Sequence, residues 1–138
     1  ISSQQNHMIA GEKSMSNLPN PKIEFISGEQ IKLLEDFEFD RAVVPAGFIS
    51  DGTSIPRFLH SYVRPFGDGL RAALPHDANY RWQNITRKEA DRLFYRRLKM
   101  IGMRTSKAWA LWAGVRSGGW MTWKIHKAVL DEQREKTE

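Results

Sequence analysis

The sequence predicts an α+β domain, with a small antiparallel sheet in its N-terminal half and helices in its C-terminal half. Two observations support this fold class. Apolar residues alternate in strand fashion between residues 22 and 50, whereas beyond residue 70 they recur at helical spacing. Strands that all precede the helices are typical of α+β domains. At 138 residues, the chain is long enough for one domain, which we expect to occupy residues 21–138.

Residues 1–20 are rich in Ser, Asn and Gln, and they predict a disordered leader. The pair His7-Met8 is typical of a vector-derived remnant, and Met15 is a candidate native start. No signal-peptide pattern opens the chain, and no apolar run reaches the ~18 residues that a membrane-spanning helix needs.

The predicted sheet occupies residues 22–50 and contains two or three strands. A Pro45-Ala46-Gly47 turn separates the apolar pairs Val43-Val44 and Phe48-Ile49. A polar loop at residues 50–56, a short helix within 57–63 and a second loop at 65–69 are expected to follow.

The first long helix is predicted from about Leu70 to Trp82, with a start or a kink at Pro75. Thr86 and Glu89 form a capping-box pattern before a second helix that ends at Gly102. A last helical region at residues 105–133 is expected to break into two helices at its Gly118-Gly119 pair.

The chain is basic, with a net charge of +5 and a pI near 9.7, so its charge favours anionic partners. Nine of its cations lie between residues 81 and 107. Nucleic acid is the less favoured partner, because only Trp82 and Tyr95 interleave aromatic rings with these cations. The chain has no cysteine, which excludes disulfides and Cys-bound metal.

The candidate catalytic residues lie on the first two predicted helices. Tyr80 follows His76 by four residues and Asp77 by three, so on a helix it lies near both. An antiparallel second helix could bring Asp91 against the His76 ring, where a carboxylate would fix the tautomer and stabilise the imidazolium. Asp77 could supply an oxygen ligand to a hard cation such as Ca²⁺, which in turn polarises an ester carbonyl.

Each of these residues also has an ordinary structural interpretation. His76 could be a hydrogen-bonded helix residue, and Asp91 a surface carboxylate that pairs with Arg87 or Lys88. Asp51 lies in a Ser-Asp-Gly-Thr stretch, where aspartate is commonly a turn residue rather than a metal ligand.

Four tryptophans follow one another at roughly helical spacing in the last helical region. They are Trp109, Trp112, Trp120 and Trp123. We expect them to form a packing face within the core or between helices. The alternative is an interfacial surface, because tryptophans beside Arg116, Lys124 and Lys127 suit an anionic membrane surface.

Several short motifs occur in order between residues 43 and 102, and together they resemble a phage and prophage family known only as domain of unknown function 1353. The resemblance implies a phage or host protein as partner, and a location in the bacterial host cytoplasm or on the virion. The matching residues are Val44-Pro45-Ala46-Gly47-Phe48, Asp51, Ser54-Ile55-Pro56-Arg57, His76-Asp77, Tyr80 and Arg87-Lys88-Glu89-Ala90-Asp91.

A shorter stretch, residues 73–98, resembles the paired catalytic helices of secreted and parvoviral phospholipases A2. The residues that carry this resemblance are Ala73 to Tyr80 and Ala90-Asp91-Arg92-Leu93-Phe94. It implies that His76 is the base that activates water and that Asp77 binds Ca²⁺. Tyr80 and Asp91 would support the catalytic network.

The resemblance has departures from the enzyme pattern. The disulfides of the secreted enzymes are absent, and no glycine-rich calcium loop is plainly present. The segments that contain Asp51-Gly52 and Phe66-Gly67-Asp68-Gly69 are the candidates for it.

Three functions are therefore open. The first is a phage-associated lipid or ester hydrolase of phospholipase A2 type that uses His76. The second is a non-catalytic virion or host-interaction protein. The third is a metal phosphohydrolase with His60, His76, Asp77 and Asp131, although such enzymes are normally all-helical.

Overall fold

Five short strands precede four helices in the structure, a computed structural model that describes residues 18–27, 30–50 and 69–137. This order confirms the α+β fold class. The predictions for residues 1–17 and 51–68, including the short helix at 57–63, lie outside the described residues. The strands are β1 (Ile23–Phe25), β2 (Ile31–Leu33), β3 (Phe37–Phe39), β4 (Ala42–Val44) and β5 (Ile49–Ser50). The helices are α1 (Leu70–Trp82), α2 (Arg87–Met100), α3 (Thr105–Gly118) and α4 (Trp120–Thr137).

The described strands form two antiparallel sheets rather than one. One has the order β1-β2-β5, and the other is the β3-β4 hairpin. The prediction of two or three strands missed this hairpin because Asp40 and Arg41 join its strands. Both residues have positive φ, at 50° and 70°, and in hairpin turns this conformation is usually adopted by Gly or Asn. The dipeptide therefore carries no strong turn signal.

The predicted turn at residues 45–47 is confirmed. The Phe48 amide donates to the Pro45 carbonyl at 3.2 Å, and the Asp36 carboxylate accepts from the Ala46 amide at 2.8 Å. Gly47 has a φ of +90°, which a residue with a side chain rarely adopts. The turn returns the chain to β5, which pairs with β2 and places Ser50 opposite Ile31.

Helix α1 begins at Leu70 and continues through Pro75, so the proline does not start the helix. The helix ends where Gln83 adopts a left-handed conformation. The residues between Trp82 and Arg87 then reverse the chain into α2. Contacts between the two helices run in opposite order, since Tyr80 meets Arg87 and His76 meets Phe94. The helices are therefore antiparallel.

The ends of the later helices follow the predicted signals. The Thr86 hydroxyl caps α2 by accepting from the Glu89 amide at 3.1 Å. The break between α3 and α4 falls at Gly119, within the predicted glycine pair.

The core lies between the helices and the inner faces of the sheets. It contains Leu33, Phe37 and Val44 from the strands, and Leu74, Phe94, Leu98, Leu111 and Val115 from the helices. Leu18 is also buried there, and the Arg71 guanidinium donates to the Pro19 carbonyl at 2.8 Å. The packed part of the chain thus includes residues that we assigned to the leader.

The tryptophan face does not pack as expected. Trp109 is 59% exposed and Trp120 is 50% exposed, so the predicted packing face is wrong for both. Trp112 is half-buried, with its ring 6.4 Å from that of Trp109. Trp123 does pack inward, where its ring meets the Tyr80 ring edge-on at 5.1 Å. In the part of the chain that the structure describes, none of the helices is both long and apolar enough to cross a membrane.

The Thr86 cap has a measurable stability contribution. Thr86→Ala leaves an amide at the start of α2 without its side-chain acceptor, so we expect a loss of about 1 kcal/mol in the free energy of unfolding. Urea denaturation measures it. Ser117→Ala is the control, because the exposed Ser117 hydroxyl only donates hydrogen bonds to carbonyls of its own helix. Equal stability of Thr86→Ala and the wild type would contradict the capping role.

Candidate functional site

A single buried carboxylate, that of Asp91, organises the candidate site. Its Oδ1 lies 2.7 Å from His76 Nε2 and accepts from the Tyr80 hydroxyl at 2.8 Å. Its Oδ2 accepts from Arg116 Nη1 at 2.8 Å and from Arg87 Nη1 at 3.4 Å. Asp91 is 0% exposed, so the interpretation of this residue as a surface carboxylate is wrong.

These contacts fix the tautomer of His76. An ionised carboxylate can only accept hydrogen bonds, so Nε2 must carry the proton that it shares with Asp91. In a neutral ring the lone pair then lies on Nδ1. The ring itself is packed between two aromatic neighbours, with centroid distances of 4.5 Å to Tyr80 and 4.6 Å to Phe94. His76 is also 0% exposed, so its orientation is strongly restrained.

Asp91 remains ionised in spite of its burial. Burial by itself would raise the pKa of this carboxyl, but the hydrogen bonds from His76, Tyr80 and Arg116 outweigh it and lower the pKa below its ordinary value. The Tyr80 hydroxyl is affected in the opposite direction. Burial and then the negative charge of Asp91 raise the pKa of Tyr80, so its hydroxyl stays protonated and acts as a donor.

Arg87 ties this network to the end of α3. Its Nη1 donates to the Val115 carbonyl at 3.0 Å and its Nη2 donates to the Arg116 carbonyl at 3.2 Å. Carbonyls in the last turn of a helix lack the amides of a following turn, and a cation there is favourable. The Val115 carbonyl also accepts from the Gly119 amide at 2.9 Å. Arg87 therefore satisfies both the helix end and Asp91, and it links α2 to α3.

Gly119 lets the Tyr80 hydroxyl come close to the junction of α3 and α4. A Cβ added at this position would lie 2.5 Å from the Tyr80 hydroxyl oxygen and 2.6 Å from the Val115 carbonyl oxygen. Gln83, which follows the last residue of α1, also contacts α4, because its side-chain amide donates to the Trp123 carbonyl at 2.8 Å. The site is thus enclosed by all four helices.

Asp77, the predicted cation ligand, faces the sheet instead of Asp91. It is buried, and its Oδ2 accepts a hydrogen bond from the Ser50 hydroxyl. A carboxylate and a hydroxyl are oxygen donors that suit Ca²⁺, although a complete shell needs six to eight oxygens. Among the described residues, no three or more His, Cys, Asp or Glu side chains form a group that could hold a metal ion. Asp51 and Gly52 lie outside the described residues.

The remaining predicted residues contribute nothing to this site in the described part of the chain. Asp131 lies on α4, where it pairs with Lys127 at 3.2 Å and with Arg134 at 3.3 Å. His60 lies outside the described residues. The phosphohydrolase set therefore gains no support from the structure.

Sequence reasoning missed two contributors to the site, Ser50 and Arg116, and underestimated a third, Arg87. The i,i+4 spacing of Arg87 and Asp91 was visible, but it suggested a weak surface pair. Arg116 was noted only as a cation beside tryptophans, and Ser50 only as part of a loop. The long sequence separations of Ser50 from Asp77 and of Arg116 from Asp91 leave no local signal for either contact.

Comparison with known proteins identifies the family. Residues 29–115 match the family described as Protein of unknown function (DUF1353). The match covers more than half of the chain, so this protein belongs to that family, as its motifs indicated. Neither the comparison with curated proteins nor that with solved structures gave a match. The matched region includes α1, α2 and most of α3, and therefore the Asp91 network apart from Arg116, which lies one residue beyond it.

The acid sensitivity of folding should depend on Asp91. Its pKa is lower in the folded state than in the unfolded chain, so its contribution to stability is fully present above the ordinary carboxyl pKa, near ~4. That contribution is lost as the pH falls through the folded pKa. Asp91→Asn should cost about 2–3 kcal/mol at pH 7, because it leaves the half-buried Arg87 and Arg116 without their carboxylate.

Urea unfolding at pH 7 and at pH 3 tests this prediction. The difference in stability between Asp91→Asn and the wild type should shrink at the lower pH. Glu132→Gln is the matched control, since Glu132 is an exposed carboxylate on α4. A difference that stays constant across this pH range would show that Asp91 is not the group that titrates.

Gly119→Ala tests the close approach of Tyr80. Alanine usually stabilises a helix relative to glycine by about 1 kcal/mol. Here the added methyl group would displace the Tyr80 hydroxyl from Asp91, so we expect a net loss of stability. Gly118→Ala is the control, because Gly118 is the exposed residue next to it. In a double-mutant cycle, Tyr80→Phe should offset part of the Gly119→Ala loss, and strict additivity would contradict the contact.

Proposed function

We propose that this protein is an ester hydrolase of the phospholipase A2 type, in which His76 is the general base. The observation that carries the proposal is the contact of His76 Nε2 with Asp91 Oδ1 at 2.7 Å, with the Tyr80 hydroxyl on the same carboxylate oxygen. This arrangement agrees with the resemblance of residues 73–98 to the catalytic helix pair of those enzymes. The family itself has no assigned activity.

In the proposed reaction, Nδ1 of His76 removes a proton from water while the water oxygen attacks the ester carbonyl carbon. Asp91 holds the opposite edge of the ring, so the imidazolium that forms lies against a negative charge. The imidazolium then returns the proton to the leaving alcohol as the tetrahedral intermediate collapses. Tyr80 donates to Asp91 throughout and keeps the carboxylate oriented toward the ring.

The proposal assigns Asp77 to a calcium ion, which would polarise the ester carbonyl when bound. Asp77 and His76 are adjacent on α1, so a ligand at Asp77 would lie near the base. The Ser50 hydroxyl, which donates to Asp77, restrains that carboxylate from the sheet side.

Access to the base is part of the proposed mechanism. The His76 side chain is fully buried, so an opening step must precede substrate binding. A preorganised, water-excluding site favours the electrostatic support that Asp91 gives, because hydrogen bonds are stronger at low dielectric.

The test measures fatty-acid release from mixed diacyl phospholipid vesicles with calcium and with a chelator. The wild type should release fatty acid only with calcium. His76→Gln should lower the rate at least about a hundredfold, the scale of general-base catalysis. Asp77→Asn should abolish the calcium-dependent release, and Tyr80→Phe should lower the rate while retaining the fold.

His126→Gln is the matched control, because this histidine lies on α4 outside the Asp91 network, and it should keep the wild-type rate. Circular dichroism and thermal unfolding verify that each variant is folded. No hydrolysis by the folded wild type, or equal rates for wild type and a folded His76→Gln variant, would refute the proposal.

The second candidate is a non-catalytic virion or host-interaction protein. The observation that favours it is the complete burial of His76 and Asp91, since the same contacts serve equally well to join three helices. This candidate predicts that a folded His76→Gln variant retains its protein partner in a pulldown with the wild type as reference. Loss of both enzymatic activity and partner binding on that substitution would leave the first candidate stronger.

A further inference from the structure

Helix α4 is the only described helix in which no residue is buried. Three aliphatic side chains, Met121, Ile125 and Val129, are each about half exposed or more, at 54%, 58% and 46%. They are spaced four residues apart, so they form one stripe along the helix. We call these three residues the α4 stripe. An amphipathic helix normally turns such a stripe toward the core, whereas this one faces outward.

Exposed tryptophans accompany the α4 stripe. Trp120 is adjacent to Met121, and Trp109 lies one helix earlier on α3. Single exposed apolar residues need no explanation, but a stripe of three apolar side chains with an exposed tryptophan next to it marks an interaction surface.

The sequence that leads into the stripe and carries most of it has charges of one sign. From Arg92 to Leu130 the sequence contains nine Lys and Arg residues and no Asp or Glu. Lys124 and Lys127 belong to the same turns of α4 as the stripe. Acidic residues return only in its C-terminal half, from Asp131 onward. Cations therefore border the N-terminal part of the stripe, whereas at its C-terminal end Lys127 pairs with Asp131 at 3.2 Å.

We propose that the N-terminal half of α4 docks this protein on an anionic phospholipid bilayer, with the stripe inserted among the acyl chains near the headgroups. Aliphatic side chains beside Trp and Lys are the composition of helices that lie in a membrane interface. The anionic headgroups supply the negative charge that the acid-free segment lacks. This inference rests on the proposed function and deepens it, because it names the membrane surface in which the ester substrate lies.

Other occupants fit the surface less well. Nucleic acid would engage the cations and rings, but it offers nothing to three aliphatic side chains. A second copy would place like charges face to face, and a stripe of three side chains is small beside the ~800 Å² per partner of a stable interface.

The test is sedimentation of the full chain with large vesicles made of ether-linked phospholipids, which cannot be hydrolysed at an ester bond. Vesicles of phosphatidylcholine with phosphatidylglycerol should bind the protein, and vesicles of phosphatidylcholine alone should bind it much more weakly. Ile125→Gln with Val129→Gln should weaken binding at least about tenfold, because two inserted side chains are lost. Lys124→Gln with Lys127→Gln should weaken it by about tenfold or more at low salt.

Val43→Gln is the matched control, since Val43 is a similarly exposed aliphatic residue on β4, and it should bind like the wild type. Equal binding of the wild type and the Ile125/Val129 variant would overturn the inference, and so would binding to duplex DNA or self-association through the stripe without binding to vesicles. Vesicle binding without ester hydrolysis would refute only the proposed function. Hydrolysis of a soluble ester without vesicle binding would refute only this inference.

Discussion

The structure depends on one buried negative charge. An ionised carboxylate removed from water is costly unless donors surround it, and Asp91 has four side-chain donors. These donors come from α1, α2 and α3, so the charge is satisfied only when the three helices are in one mutual register. Apolar packing supplies much of the driving force for burial, but it tolerates small shifts that hydrogen bonds near 2.8 Å do not.

The same contacts that hold the helices also orient His76 as the proposed function requires. A carboxylate on Nε2 makes Nδ1 the basic nitrogen of His76, and the flanking rings of Tyr80 and Phe94 prevent the imidazole from turning away. Arg87 and Arg116 donate to the other carboxylate oxygen. One oxygen of Asp91 therefore orients His76, and the other joins α2 to α3. The same side chains thus join the helices and provide the arrangement that the proposed hydrolysis requires.

Much of the helical half could be predicted because its signals are local. Thr86 with Glu89 marks the start of α2, the glycine pair marks the break before α4, and the spacing of His76, Tyr80 and Asp91 indicates their meeting. The hairpin at Asp40 and Arg41 was missed because both residues adopt positive φ, a conformation that these residue types do not indicate in the sequence. Ser50 and Arg116 were missed for another reason. Their partners are distant in sequence, and only tertiary packing brings them together.

The tryptophans show the limit of periodicity as a guide. Helical spacing predicts that apolar residues share a face, but it does not say whether that face meets the core or the solvent. Trp123 turns inward against Tyr80, while Trp109 and Trp120 remain exposed. Trp120 and Trp123 both follow the break at Gly119, where the Tyr80 hydroxyl approaches the junction and a helix with no buried residue begins. Gly119 therefore lies between the buried Asp91 network and the exposed surface of α4.

Nitrogen-15 NMR of the histidine side chains tests the central claim most directly, because it reports which ring nitrogen carries the proton. With Asp91 ionised and bonded to His76, the spectrum at neutral pH should show Nε2 protonated, with a slowly exchanging proton that is lost in Asp91→Asn. A proton on Nδ1, or an Nε2 proton that exchanges as fast as that of a solvent-exposed histidine, would contradict the account.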